Sequence, residues 1–144
     1  MYRWLLDTNI IISGLFWSGK ESELLELALA EEYKAIISEF VLRETKTVIA
    51  AKFSEMADKA ETVLNLLVES AEKYPLLSVQ EVNQFINSRD LEIDLNKGDL
   101  IILATAFNAK AEAIVTGDKD FHKPEINELI QIIETAQALQ KLKP

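Results

Sequence analysis

Four short apolar runs constrain this chain more than anything else in it: Arg3 to Asp7 (RWLLD), Lys34 to Ser38 (KAIIS), Ala113 to Thr116 (AIVT) and Leu129 to Glu134 (LIQIIE). Each has the length of a strand and is apolar at consecutive positions, the pattern of strands covered on both faces. Between them, Glu21 to Glu31, Glu39 to Ala51 and Ser54 to Lys73 carry helical spacing. In the last, Ala60, Val63, Leu64, Leu67, Val68 and Ala71 make one apolar face, and Tyr74-Pro75 is read as its stop. Val82 to Asn87 reads as a short helix. Lys97 to Ala109 reads as a long one, with Leu100, Leu103, Ala104 and Phe107 on one side. Strands alternating with helices predict an α/β fold with a mainly parallel sheet between helical layers. In such folds ligands bind beyond the carboxyl ends of the strands.

The chain has 144 residues, 49% hydrophobic and 27% charged, which suits a single domain over 1–144 with a real core. It contains no cysteine, so disulfides and thiolate metal sites are excluded, in keeping with a reducing cytoplasm. The apolar stretch Met1 to Trp17 is interrupted by Asp7 and Asn9 and is followed by no small-residue cleavage site. No apolar run reaches the ~20 residues of a membrane span. The expectation is a soluble cytoplasmic protein. A net charge of −9 argues against a general nucleic-acid coat, since Lys and Arg carry phosphate contacts. It is compatible with a nuclease whose acidic pocket holds a cation beneath a local basic rim, and with a basic partner protein.

Acidic residues stand where the strand rule places a site. Asp7 directly follows Trp4-Leu5-Leu6, although it could equally cap a helix beginning near Ile10. Asp118 leaves the run Ile114-Val115-Thr116 through Gly117, although Gly-Asp-Lys-Asp is also ordinary turn chemistry. Glu44 lies three residues after Val41 and four before Val48, which puts it on the face of its helix expected to pack inward. The alternative for Glu44 is a surface pair with Arg43 or Lys46. Asp99 opens the helix from Lys97. With Asn96 as N-cap it fits the third position of a capping box, or it points back toward the strand ends.

Gathering such groups is costly. Two unit charges ~4 Å apart repel by roughly 4 kcal/mol at an effective dielectric of about 20. Protonation or a divalent cation must relieve that repulsion, and hard oxygen donors without a cysteine or histidine cluster favour Mg²⁺ or Mn²⁺ over zinc. The one histidine, His122, is read as structural. Trp4 and Trp17 are read as core residues, and Ser38 and Ser54 as helix caps.

In this order the motifs resemble the PIN-domain family. Leu5 to Leu15 (LLDTNIIISGL) is similar to that family's Asp-x-Asn after the first strand, and Ile37 to Thr45 (ISEFVLRET) to its strand–helix segment bearing a Glu. Gly98 to Phe121 resembles its Asp-bearing helix followed by a strand and Thr-Gly-Asp-x-Asp. The resemblance covers almost the whole chain. It implies a three-layer α/β/α sandwich, a site binding one or two Mg²⁺ or Mn²⁺, and endonucleolytic cleavage of RNA. Asp7 and Asp99 would be the primary metal ligands, with Glu44 and Asp118 completing the set or acting through water. Asn9 would orient Asp7, Thr116 would hydrogen-bond a carboxylate or a water, and Asp120 would be accessory, turned outward by its alternation with Asp118. At this size the chain looks most like the toxin (VapC-like) subunit of a toxin–antitoxin pair. That implies a homodimer and a small antitoxin whose tail enters the site. Arg43, Lys46, Lys97 and Lys119 are candidates for the rim that holds phosphate.

Other classes make different demands. A response-regulator receiver needs a phosphoacceptor Asp ending a central strand, whereas Lys34 to Ser38 ends in Ser-Glu. Haloacid-dehalogenase phosphatases want Asp-x-Asp after the first strand, and here the third position is Asn9. A PIN domain reduced to a binding module would not need all four acids.

Overall fold

The computed structural model describes residues 1–89, 91–92 and 94–143. Five strands form one wholly parallel sheet: β1 (Arg3–Leu6), β2 (Lys34–Ser38), β3 (Glu72–Tyr74), β4 (Ala113–Val115) and β5 (Gln131–Ile133). Their order is β3-β2-β1-β4-β5, so β1 is central. Trp4 pairs with Ala35 on one side and Ala113 on the other. The helices among the described residues are α1 (Thr8–Phe16), α2 (Lys20–Leu29), α3 (Glu39–Lys52), α4 (Ala57–Ser70), α5 (Val79–Ser88), α6 (Lys97–Asn108), α7 (Pro124–Asn127) and α8 (Thr135–Leu142).

The layers follow from the handedness of the crossovers. The chain steps from β1 to β2 to β3 in one direction, then returns past β1 to β4 and β5 in the other. Right-handed crossovers therefore put the two sets of helices on opposite faces. On one side α2 packs on α4 and α8. On the other α5 packs on α6, and α6 lies against β2 and β4; α3 touches α1 and α4 as well as α6. This is the three-layer α/β/α sandwich that the alternating pattern predicts. Its core is built from Trp4, Leu5, Leu6, Ile36, Ile37, Ile114 and Val115, all fully buried on the strands. Each such side chain contributes roughly 1.5–3 kcal/mol by leaving water. No helix among the described residues is long and apolar enough to cross a membrane.

The reversal of direction positions the site. Chains leaving the adjacent strands β1 and β4 diverge, one toward β2 and the other toward β5, and this opens a crevice beyond their carboxyl ends. Asp7 and Thr116-Gly117-Asp118 lie at its floor.

Several elements depart from the sequence expectation. Helix α4 stops at Ser70, where Ala71 turns extended and the Lys34 ammonium donates to the Ser70 carbonyl at 3.0 Å. Residues 72–74, expected to finish that helix, instead form β3, paired with β2 through Ile36↔Glu72 and Ser38↔Tyr74. An edge strand of sequence Glu-Lys-Tyr has no apolar run to announce it, and its charges guard the free edge. Helix α8 was also not anticipated. Ser38 caps α3 as expected by accepting from Val41 N–H, but Ser54 lies inside a 3₁₀ turn (Ser54–Met56) and caps nothing. Trp4 is in the core, whereas Trp17 is 57% exposed. Helix α1 ends at Phe16, and the extended Trp17 that follows lays its ring edge-on against Phe16 and Phe53 instead of entering the interior. Finally, the central strand is β1 and not β2, so the receiver comparison must be judged on Asp7.

Candidate active site

Asp7 caps a helix and also stands at the strand ends, and each of its oxygens has its own partner. Oδ1 accepts the Thr8 N–H at 2.8 Å and caps α1. Oδ2 accepts the Thr116 hydroxyl at 2.7 Å, which fixes the carboxylate across the β1–β4 crevice. Backbone pairing reinforces the link, since Asp7 N–H donates to the Val115 carbonyl at 3.1 Å. The Thr116 hydroxyl also accepts from Asp118 N–H at 3.0 Å, so one buried side chain ties the ends of both strands together. With both oxygens engaged and only 5% exposure, Asp7 is a poor phosphoacceptor, which removes the receiver reading.

At Asp99 a purely local role falls short. Asn96 Oδ1 accepts Asp99 N–H at 2.8 Å, which is half of a capping box. The reciprocal bond from Asn96 N–H to the Asp99 side chain is not made. Instead Asp99 Oδ2 is buried without any hydrogen-bond partner. A buried carboxylate oxygen left in this way is expensive, so something must answer it.

Glu44 corrects the sequence expectation. The buried face of α3 is Val41, Leu42, Thr45 and Ile49, and Glu44 is exposed beside it rather than packed inward. At ~100° per residue, Glu44 falls well outside the arc centred on those four positions. It reaches the site because its Oε1 accepts the Thr8 hydroxyl at 2.5 Å. It pairs with neither Arg43 nor Lys46; Arg43 pairs instead with Glu39 at 3.3 Å.

Asp118 and Asp120 close the group. Asp118 Oδ1 accepts Asp120 N–H at 2.9 Å, starting a 3₁₀ turn over Lys119–Phe121. Asp120 is exposed, in keeping with the expected outward orientation, and the turn still leaves one of its oxygens near the other acids. Asp99, Asp118 and Asp120 each present an oxygen, and these atoms lie within 4.8 Å of one another. Asn9 is exposed, and the bonds that orient Asp7 come from Thr8 and Thr116 instead. His122 Nε2 lies 3.0 Å from the Thr116 carbonyl, a structural tie across the turn. Thr8, which the sequence does not single out, joins the site through its hydroxyl. Its signal, a hydroxyl one residue after the strand-ending Asp, does not by itself reveal the bond to Glu44.

Burial is the first cause that raises the Asp7 carboxyl above its ordinary value. The Thr116 and Thr8 bonds oppose it, while Asp118 and Glu44 add to it. Burial likewise raises Asp99, to about 6, helped by the negative charge of Asp118, Asp7, Asp120 and Glu44. The electrostatics thus favour a proton or a cation. Carboxylate oxygens in this number are the kind of donor set that suits Mg²⁺ or Mn²⁺, and Asp99 Oδ2 is left without a partner. Two apolar-walled grooves include residues of the helices that bear Glu44 and Asp99. One of about 460 Å³ is lined by Phe40, Arg43, Glu44, Val48 and Leu76. The other, of about 300 Å³, includes Val82, Ile86, Lys97 and Ile101. All four basic residues expected at the rim, Arg43, Lys46, Lys97 and Lys119, are exposed, and Arg43 and Lys97 line these grooves.

Known proteins share this fold. A chain of the VapBC2 complex from Rickettsia felis, solved bound to a DNA fragment from its promoter, superposes with a TM-score of 0.64 at 20% identity, covering 92% of this chain and 98% of that one. A chain of a toxin–antitoxin complex from Klebsiella pneumoniae gives 0.64 at 23% identity, covering 91% and 96%. VapC20 from Mycobacterium tuberculosis, a toxin that cleaves the sarcin–ricin loop, gives 0.59 at 15% identity, covering 83% and 92%. At these identities the likeness is one of fold. No curated protein sequence matches the chain. The sequence profile of the PIN domain, however, matches residues 3–120, and the chain belongs to the PIN-domain family, a family of nucleases.

Proposed function

We propose that this chain is an Mg²⁺- or Mn²⁺-dependent endoribonuclease that hydrolyses RNA phosphodiester bonds, and that it is the toxin half of a toxin–antitoxin pair. The observation that carries the reading is Asp99, whose Oδ2 is buried without a hydrogen-bond partner and whose carboxylate stands close to those of Asp118 and Asp120. Asp99, Asp118 and Asp120 would hold the ion together with Asp7 and Glu44, directly or through water. Bound there, a divalent cation polarises the scissile phosphate and lowers the pKa of water. The protein's own part is positional. Thr116 holds Asp7 and the Asp118 backbone in fixed relation, Asn96 presents Asp99 through the first turn of α6, and Asp118 braces the turn that delivers Asp120. Arg43 and Lys97 would hold flanking phosphates. The likeness to a toxin that cleaves the sarcin–ricin loop supports RNA as the substrate class. The toxin–antitoxin complexes of like fold support a small antitoxin partner, and we extend this to a homodimer working in the cytoplasm.

The test is cleavage of a panel of cellular RNAs with Mg²⁺, Mn²⁺ or EDTA, comparing wild type with Asp7→Asn. An Asn can still cap α1, so the fold should persist while metal-dependent cleavage disappears. Cleavage that survives EDTA, or an Asp7→Asn variant as active as wild type, would sink the assignment.

A further inference from the structure

Glu44 presents a problem of placement. It is an exposed glutamate on a helix whose buried face points elsewhere, with a long side chain free to rotate into solvent. Among the described residues its one hydrogen-bond partner is the Thr8 hydroxyl, at 2.5 Å. Thr8 is itself buried, only 8% exposed, and stands in the first turn of α1. Its backbone N–H is at the same time the donor that caps Asp7 Oδ1 at 2.8 Å. One residue therefore grips two carboxylates from different parts of the chain, one by its main chain and one by its side chain. Asp7 has a second anchor in Thr116, but Glu44 has none.

We infer that Thr8 is a positioning residue that holds Glu44 against the acidic cluster. The inference rests on the metal-dependent reading of that cluster. Fixing a long side chain beforehand removes the rotamer freedom that metal binding would otherwise have to freeze. Partners one bond removed from a ligand commonly change metal affinity by about 10–100-fold when lost. Thr8→Val keeps the shape, the β-branch and the N–H that caps Asp7, and deletes only the hydroxyl. Thr8→Ser keeps the hydroxyl.

The experiment measures Mn²⁺ binding by calorimetry and Mn²⁺-dependent RNA cleavage for wild type, Thr8→Val, Thr8→Ser, Glu44→Gln and the double variant Thr8→Val/Glu44→Gln, with thermal melts in EDTA for each. Thr8→Val should weaken Mn²⁺ binding about 10-fold or more, Thr8→Ser should stay within about threefold of wild type, and Thr8→Val should cost under about twofold once Glu44 is Gln. Equal Mn²⁺ affinity in Thr8→Val and wild type overturns the inference, as does an undiminished loss in the Glu44→Gln background. If Thr8→Val melts before it can be measured, Thr8→Ser decides: its failure to retain affinity counts against the hydroxyl. Wild-type protein that binds Mn²⁺ but leaves RNA intact defeats the nuclease reading alone, and the Thr8 inference is then judged on binding. Wild type that binds no Mn²⁺ defeats both.

Discussion

The two edges of the sheet treat charge in opposite ways. At the amino edge, Arg3 is surrounded by acceptors. Its guanidinium donates to Glu72 at 2.6 and 3.1 Å, to the Ala109 and Lys110 carbonyls at 3.0 and 2.9 Å, and to the Tyr74 hydroxyl at 3.3 Å. Glu72 is held below the usual carboxylate range, chiefly by its hydrogen bond from Arg3, and the same bond raises Arg3. At the carboxyl edge, Asp7, Asp99, Asp118 and Asp120 converge with no lysine or arginine bonded to any of them among the described residues, and the buried members are pushed upward. One edge is arranged to hold the sheet together. The other gathers repulsion, an arrangement that functional sites commonly show.

The largest effect expected from this contrast is at Asp99. Asp99→Asn should lower metal-dependent cleavage by about a thousandfold or more. In EDTA at pH 8 it should also raise Tm by several °C, because it deletes a buried negative charge that makes no stabilising bond. A variant that is inactive and less stable would show that Asp99 is part of the structural frame after all. A smaller effect of opposite character is expected from Arg3→Ala. Losing the ion pair and its carbonyl contacts should cost about 1–2 kcal/mol, a few °C in Tm, with cleavage per folded molecule unchanged. Cleavage that falls along with Tm would couple edges we regard as independent.

The subtlest discriminator is pH. In metal-free protein, Asp99 rises from the ordinary 3.8 to about 6. Between those values the native state keeps a proton that the unfolded chain has released, so stability falls as pH climbs through the window and the whole penalty stands above about 6. Glu72 has the reverse sign. Its value lies below the ordinary 4.5, so the stability from its pair with Arg3 is present above that pH and fades on acidification. Melting curves of wild type and Asp99→Asn in EDTA should therefore converge near pH 4 and separate toward pH 7. A constant offset between them would break the comparison.

These edges were unequally visible in the sequence. Strands β1, β2 and β4 could be read directly, because an unbroken apolar run of that length suits little besides a strand covered on both faces. The amino-edge cluster could not, because it depends on β3, whose three residues look like the tail of the preceding helix and become a strand only by pairing with β2. In the site, the positions of Asp7 and Asp118 followed from strand ends, whereas their hydrogen-bond duties required knowing that β1 and β4 are neighbours. Glu44 was placed beside the cluster for a faulty reason. Helical spacing put it on the inner face, but it is exposed and arrives through Thr8. Asp120 is exposed, as its alternation with Asp118 implies, but the 3₁₀ turn that sets it near Asp99 has no signal in the sequence.

The contact between Phe40 and Gly98 has a bearing on all of this. A methyl group added at Gly98 would stand 3.0 Å from Phe40 Cζ and 3.3 Å from Cε2, so the ring rests almost on the bare backbone of α6. Glu44 lies one helical turn beyond Phe40, and Asp99 is the residue after Gly98. The approach of α3 to α6 is thus gauged here by a benzene ring against a glycine and not by the acids. Exchanging those acids would leave this contact unaltered, while the smallest side chain at position 98 would press on the ring with every acid still in place.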